Sequence, residues 1–397
     1  MITNYVILGL CVIVIIAYLF DISFKYSKIP GVVLLIGLGI ILQAIVKTTE
    51  FHVPNMKSIL PVLGTLGLIL IVMDASLEIK LERNSARKLL KGILTAVMLL
   101  FIFTIISTVI FLKILDKPLF TILLNTIPLG IISSAVAISS SSLLNHQQRE
   151  FVTFESAISD IVGILVFEFV LFNEGSISIG LLSFTLKGII TVIIAIIVAL
   201  VLSFLLHKIR YHVNYIIILT LIVMSYALAK LVHLPGLFLV VVFGLFLSNN
   251  KLLKNTPVKK YLDFEELKED IESFKKILVE LTFLVRSFFF IMFGFYSSLS
   301  GFLKPESLLV AVSITAVIFI MRWIWFTFFI EKEYLRVVWF APRGLITILL
   351  FLSIPELNRI NLINEDVVTL VIILSIFVMV VGNIIPVKNK RNADIVV

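Results

Sequence analysis

The sequence predicts an all-α polytopic membrane protein of about thirteen transmembrane helices, built as inverted repeats in which two helices are discontinuous. Three observations carry this. Of 397 residues 60% are hydrophobic, and the mean hydropathy of +1.15 exceeds that of soluble globular chains. Apolar runs of roughly 17–25 residues, the length that spans a bilayer, recur along the whole chain. The fifth and twelfth of these runs carry helix-breaking residues, and a separation of seven spans is what an inverted repeat produces.

The spans fall at residues 4–20, 29–46, 58–79, 89–112, 119–144, 151–172, 177–206, 213–231, 235–248, 277–299, 306–330, 334–353 and 366–386. The first lacks a basic n-region and an A-x-A cleavage site, so it reads as a retained helix and not a signal peptide. The seventh, near thirty residues, is longer than a bilayer requires and is expected to tilt or to act as a connector. The ninth is short and starts at Pro235-Gly236. Residues 249–276 form the one substantial hydrophilic stretch, a connector that becomes helical from about Asp263, where Glu and Lys recur three or four apart. Eleven residues follow Pro386, so no soluble catalytic or nucleotide-binding domain is expected.

Charge sets the orientation. Loops after odd-numbered spans hold 22 Lys and Arg against 6 after even-numbered spans, which places the N-terminus outside and the C-terminus in the cytoplasm. The same asymmetry accounts for the net charge of +8, and no basic patch is interleaved with aromatics, so nucleic acid is excluded as a partner. Cys11 is the single cysteine, so an internal disulfide is ruled out, and zinc-ligand spacing is missing. With neither HExxH nor GxSxG present, an embedded enzyme finds no support, and no cofactor is expected.

Ionisable side chains in hydrocarbon are costly, so each needs a partner, a proton or water. The spans contain Asp74 and Glu78, then Glu155, Asp160 and Glu168 within FESAISDIVGILVFE, and Lys187, Lys230, Arg286, Arg322 and Arg343. Asp160 lies mid-span beside Ser159, with Ala157 and Gly163 allowing close approach of another helix or of water. Such a carboxylate can exchange a proton for a cation, because burial favours its neutral form and a nearby cation its charged form. Glu155 is five residues earlier, about 140° around the helix, and needs its own partner, for which Arg322 in IMRWIWF is the candidate. Glu168, near the end of the span, is expected to meet the interface, while Asp74 is either a second titrating group or an arginine's partner.

The fifth span contains PLGIISSAVAISSSS, with Ser133 and Ser134, and the twelfth WFAPRGLITILLF, where Pro342 and Gly344 bracket Arg343. Breaks at these places free backbone carbonyls and amides, which together with serine hydroxyls are hard oxygen ligands suited to small alkali cations. A face of small residues for helix packing would read similarly.

These residues resemble the monovalent cation:proton antiporters, the sodium/proton exchanger superfamily. Glu155 followed by Asp160 is similar to the family's Glu-x-x-x-Asn-Asp element, MDASLEIKL to its third-helix Gly-Leu-Glu stretch, SFFFIMFGF to its Phe-rich segment, and PRGLITILL to the Arg-Gly part of its second broken helix. The resemblance covers spans three to thirteen. It implies crossed broken helices in a core that moves against a dimerisation domain. On that basis residues 1–88 and 208–299 are dimerisation helices, 89–176 and 300–386 the core, 177–207 a linking helix and 387–397 a cytoplasmic tail. It further implies a homodimer in a bacterial inner membrane, serving pH homeostasis, without a C-terminal nucleotide-binding domain. Asp160 matches the family's cation- and proton-binding aspartate, with Ser159, Ser134 and Ser133 around it, and Glu155 and Arg322 match its structural ion pair. Asp74, Arg343 and Arg286 are further charged core candidates. The sequence departs from the family in having Ser159 where Asn or Asp is usual, and no acid in the first broken helix.

The expected activity is electroneutral one-to-one exchange of Na⁺, Li⁺ or K⁺ for H⁺, with Asp160 as the alkali-cation ligand. The alternatives are a carrier of a small organic anion held by Arg286, Arg322 and Arg343, and a pore lined by SSAVAISSSS, which lacks the acidic rings of a cation filter.

Overall fold

A computed structural model describes residues 2–27, 29–49, 59–78, 86–141, 144–172, 177–208, 214–249, 264–297 and 299–384. Among the described residues every predicted span is mostly helical. The helices are α1 (Ile2–Ser27), α2 (Gly31–Thr49), α3 (Leu60–Glu78), α4 (Ala86–Ile114), α5 (Leu119–Gly130), α6 (Ser134–Ser140), α7 (His146–Leu171) and α8 (Ile177–Lys208). They continue as α9 (Asn214–Leu231), α10 (Gly236–Ser248), α11 (Phe264–Tyr296), α12 (Leu299–Phe302), α13 (Pro305–Phe329), α14 (Leu345–Leu352) and α15 (Glu365–Ile384). Among the described residues seven helical stretches are long and apolar enough to cross a membrane by length and composition, in α2, α3, α4, α5–α6, α11, α13 and α15.

Local chemistry explains the boundaries. Asn145 caps α7, its side chain accepting a hydrogen bond from the Gln148 amide at 2.8 Å. Pro305 opens α13 at a first-turn position, where its missing N–H costs nothing. Pro235 stands just before α10, and α8 runs 32 residues, long as predicted.

Both predicted breaks are present. Pro128 lies in the last turn of α5, the chain then extends through residues 131–133, and α6 follows. The second break differs in form from the α-helical reading of span 334–353. Its first half is a 3-10 helix over Lys332–Trp339, followed by extended backbone through Gly344 and then α14. Its tighter winding suits a short segment that ends at Trp339, three residues before Pro342, a residue unable to continue a helical ladder.

The helices pack as two bundles. α4, α5, α6, α7, α13, the 3-10 segment and α15 pack on one another, with α14 between α5 and α15. α2, α3, α8, α9, α10 and α11 form the second bundle, with α1 against α2. In the second, α2 meets α11 through glycines: a Cβ on Gly39 would lie 2.1 Å from the Ile291 carbonyl oxygen, and one on Gly294 would lie 2.2 Å from that of Ile36. Small residues at such crossings let backbones touch where lipid gives no hydrophobic drive. α7 meets α3 and α10 at the seam between the bundles, where α14 also touches α3.

Candidate functional site

The two breaks cross within the first bundle and are joined by backbone. The Ser133 amide donates to the Pro342 carbonyl at 2.9 Å, and the Arg343 amide donates to the Ser375 hydroxyl at 2.9 Å. The approach is close because Gly344 lacks a side chain: a Cβ there would sit 2.4 Å from the Ser133 hydroxyl oxygen. Gly163 does the same on α7, where a Cβ would fall 2.4 Å from the Ile131 side chain.

Asp160 faces this crossing from α7. It is 1% exposed, and its Oδ2 accepts a hydrogen bond from the Ser134 amide, the first of α6, at 3.3 Å. Its Oδ1 is buried and without a hydrogen-bond partner. The preceding hydroxyl, Ser159 Oγ, accepts from the Ile132 amide in the extended segment at 3.0 Å. A carboxylate thus stands at the free amides of a half-helix, where the partial positive charge favours an anion.

The two arginines nearest the crossing are engaged. Arg322, also 1% exposed, donates through Nη1 and Nη2 to the two oxygens of Glu155 at 2.5 and 2.8 Å. It also donates to the carbonyls of Val338 at 2.9 Å and Val337 at 3.1 Å, at the end of the 3-10 segment. Arg343 donates through Nε to the Leu129 carbonyl at 2.7 Å and through Nη1 to the Ala341 carbonyl at 3.0 Å. Its cation therefore sits on the carbonyl end of α5, which carries partial negative charge. A void of about 20 Å³, lined by Ser159, Gly130, Arg322 and Arg343 among others, lies beside the crossing and is large enough for a water.

The sequence profile described as "Sodium/hydrogen exchanger, transmembrane" matches residues 11–387. The chain belongs to the sodium/hydrogen exchanger family. The fold of this exchanger is similar to that of the sodium proton antiporter MjNhaP1 from Methanocaldococcus jannaschii at pH 8, with a TM-score of 0.70, 19% identity, and coverage of 96% of this chain and 100% of the other. A second structure of that antiporter, from an electron-microscopy map, is similar at a TM-score of 0.64 and 18% identity, covering 95% of this chain and 94% of the other. No curated protein matches the chain at a significant level. By its family the exchanger is an integral membrane transporter and not an enzyme.

In the exchanger, Asp160, Ser159, Ser133 and Ser134 meet at the crossing with Arg343, while Glu155 and Arg322 stand one step aside. Asp74 and Arg286 are elsewhere, half-buried in the second bundle, where the charges of Asp74 and Asp21 act on Arg286. Sequence reasoning passed over one residue and misplaced another. Ser156, 1% exposed, is one turn before Asp160 on the same face, with its hydroxyl donating to the Val152 carbonyl at 2.7 Å; the four-residue spacing was the available signal. Glu168 does not meet an interface. It is 1% exposed and accepts a hydrogen bond from Lys230 on α9 at 2.9 Å.

Proposed function

We propose that the exchanger moves a monovalent cation, Na⁺ first and Li⁺ or K⁺ next, against H⁺ by competition at Asp160. One observation carries this reading: Asp160 is a buried acid with an unpartnered oxygen and a single backbone donor, while its neighbour Glu155 is fully engaged by Arg322. A proton or a desolvated cation neutralises Asp160, and only the neutral site crosses the low-dielectric region readily. The ionised, empty site is held back, which couples the two fluxes. With Glu155 and Arg322 cancelling and Arg343 fixed on carbonyls, one titrating carboxylate gives electroneutral one-to-one exchange. The hydroxyls of Ser134, Ser159 and Ser133 and the carbonyls freed at the breaks are the oxygen ligands at hand.

In this reading the first bundle is the moving core and the second the static, dimer-forming body, joined by α8. The C-terminus of α7 then faces outward and the chain's C-terminus the cytoplasm of a bacterial cell, in keeping with the basic loops. The anion-carrier alternative fits less well, because the donors of Arg322 and Arg343 are occupied by Glu155 and by backbone carbonyls. The test uses proteoliposomes with an internal pH dye, given Na⁺, Li⁺ or K⁺ outside, for wild type and Asp160→Asn. A cation that drives proton exit in wild type alone supports the reading. No response from folded wild type to any of the three removes it.

A further inference from the structure

Glu155–Arg322 and Lys91–Glu331 both stay inside the first bundle, but the Glu168–Lys230 pair crosses the seam. Glu168 comes from α7 and Lys230 from α9, and neither helix packs directly along the other; they meet only at the α7 C-terminus. Lys230 is also 5.0 Å over the ring of Phe172, the residue that ends α7. Glu168 shares a cavity wall with Leu237 in the first turn of α10, and its Oε2 is buried without a hydrogen-bond partner. An ammonium of the second bundle therefore holds one buried acid of the first, beside the start of α10.

The pair also lines a cavity of about 230 Å³ whose walls come from both bundles, with Leu60, Thr65 and Phe293 on one side and Leu349 and Ser353 on the other. Its presence bears on what happens if the bundles slide. Such a space lets water reach both ions once they separate, so the pair can open without stranding bare charges in hydrocarbon. A displacement of α7 by a few ångströms along α10 breaks the 2.9 Å contact and the Phe172 contact together.

We propose that Glu168 and Lys230 form a latch between the two bundles, holding the exchanger in the arrangement described and opening in each cycle. The inference rests on the two-body transport reading above, and its experiment does not require transport. Spin labels at two exposed sites, Leu231→Cys at the end of α9 and Leu303→Cys before α13, in a Cys11→Ser background, report the separation of the bundles by pulsed electron resonance.

The neutral double variant Glu168→Gln with Lys230→Met leaves no buried charge and is expected to fold. It should shift the populations away from the wild-type separation by at least about fivefold, the low end of a coupling contact. Exchanging the charges, Glu168→Lys with Lys230→Glu, places the acid on α9 and should restore the pair contact, returning the populations toward those of wild type. Wild-type populations in the neutral variant would overturn the latch. So would equal shifts in the neutral and exchanged variants, which would mean packing and not charge joins the bundles. Failure of the transport reading would instead appear as wild type that moves no cation, whatever the labels show.

Discussion

Removing Arg322 should damage the fold more than removing it together with the charge of Glu155. In Arg322→Met the guanidinium's four donated hydrogen bonds are lost, leaving Glu155 ionised at 1% exposure and the Val337 and Val338 carbonyls without that donor. Stranding one member of a buried pair costs about 3–5 kcal/mol, and loss of the arginine donor at the Val338 carbonyl about 1–3 kcal/mol before relaxation, while the Val337 carbonyl still accepts from the Phe340 amide at 2.9 Å. Relaxation and water will recover part of this, so about 5 kcal/mol is the expected loss for the single variant. The double variant Glu155→Gln with Arg322→Met keeps the carbonyl losses and drops the stranded charge, so about 2–3 kcal/mol is expected. The assay is unfolding by denaturing detergent in mixed micelles, followed by tryptophan fluorescence, in a full double-mutant cycle. Trp325 packs near this site, stacked on Phe329 with ring centroids 4.5 Å apart, and supplies a local signal. A double variant less stable than Arg322→Met would refute the reasoning, because the damage would then not come from an unpaired carboxylate.

Two further outcomes follow from the crossing. Gly344→Ala forces a Cβ to within 2.4 Å of the Ser133 hydroxyl oxygen and 2.8 Å of its Cβ, so the breaks must separate; a loss of about 1–3 kcal/mol and of most cation-driven proton movement is expected, measured in the same micelles and vesicles. The competition proposed at Asp160 predicts that the apparent KM for the cation rises as pH falls, by about tenfold per unit once the proton dominates, with the maximal rate unchanged. Isotope uptake across a pH series checks this, and a falling rate at constant KM would argue for separate cation and proton sites.

Much of this architecture is legible in the sequence because the bilayer constrains it so strongly. A run of about 20 apolar residues has few options but a helix, and Pro128, Pro342 and Gly344 announce where helices stop. Less was legible wherever the answer depends on distant chain. Glu168 sits where a span should meet water, and nothing local reveals that α9 and α10 enclose it with Lys230, 62 residues away. Arg343 reads as a free cation until Leu129, 214 residues earlier, is placed beside it. The 3-10 winding of Lys332–Trp339 is likewise invisible, because the apolar pattern of so short a stretch fits either helix.

Asn125, buried in α5, donates to the Thr121 carbonyl at 2.8 Å and to the Asn358 carbonyl at 2.7 Å, while its own carbonyl accepts from the Ile360 amide at 3.3 Å. The segment it grips carries Leu357, 96% exposed. A surface loop is usually a poor place for a reporter, since it wanders independently of what it is meant to report. Here the grip makes it a rigid handle: a dye at Leu357 follows α5, and polarised single-molecule fluorescence there would time the bundle stroke that the proposed cycle requires, without touching Asp160 or the serines around it.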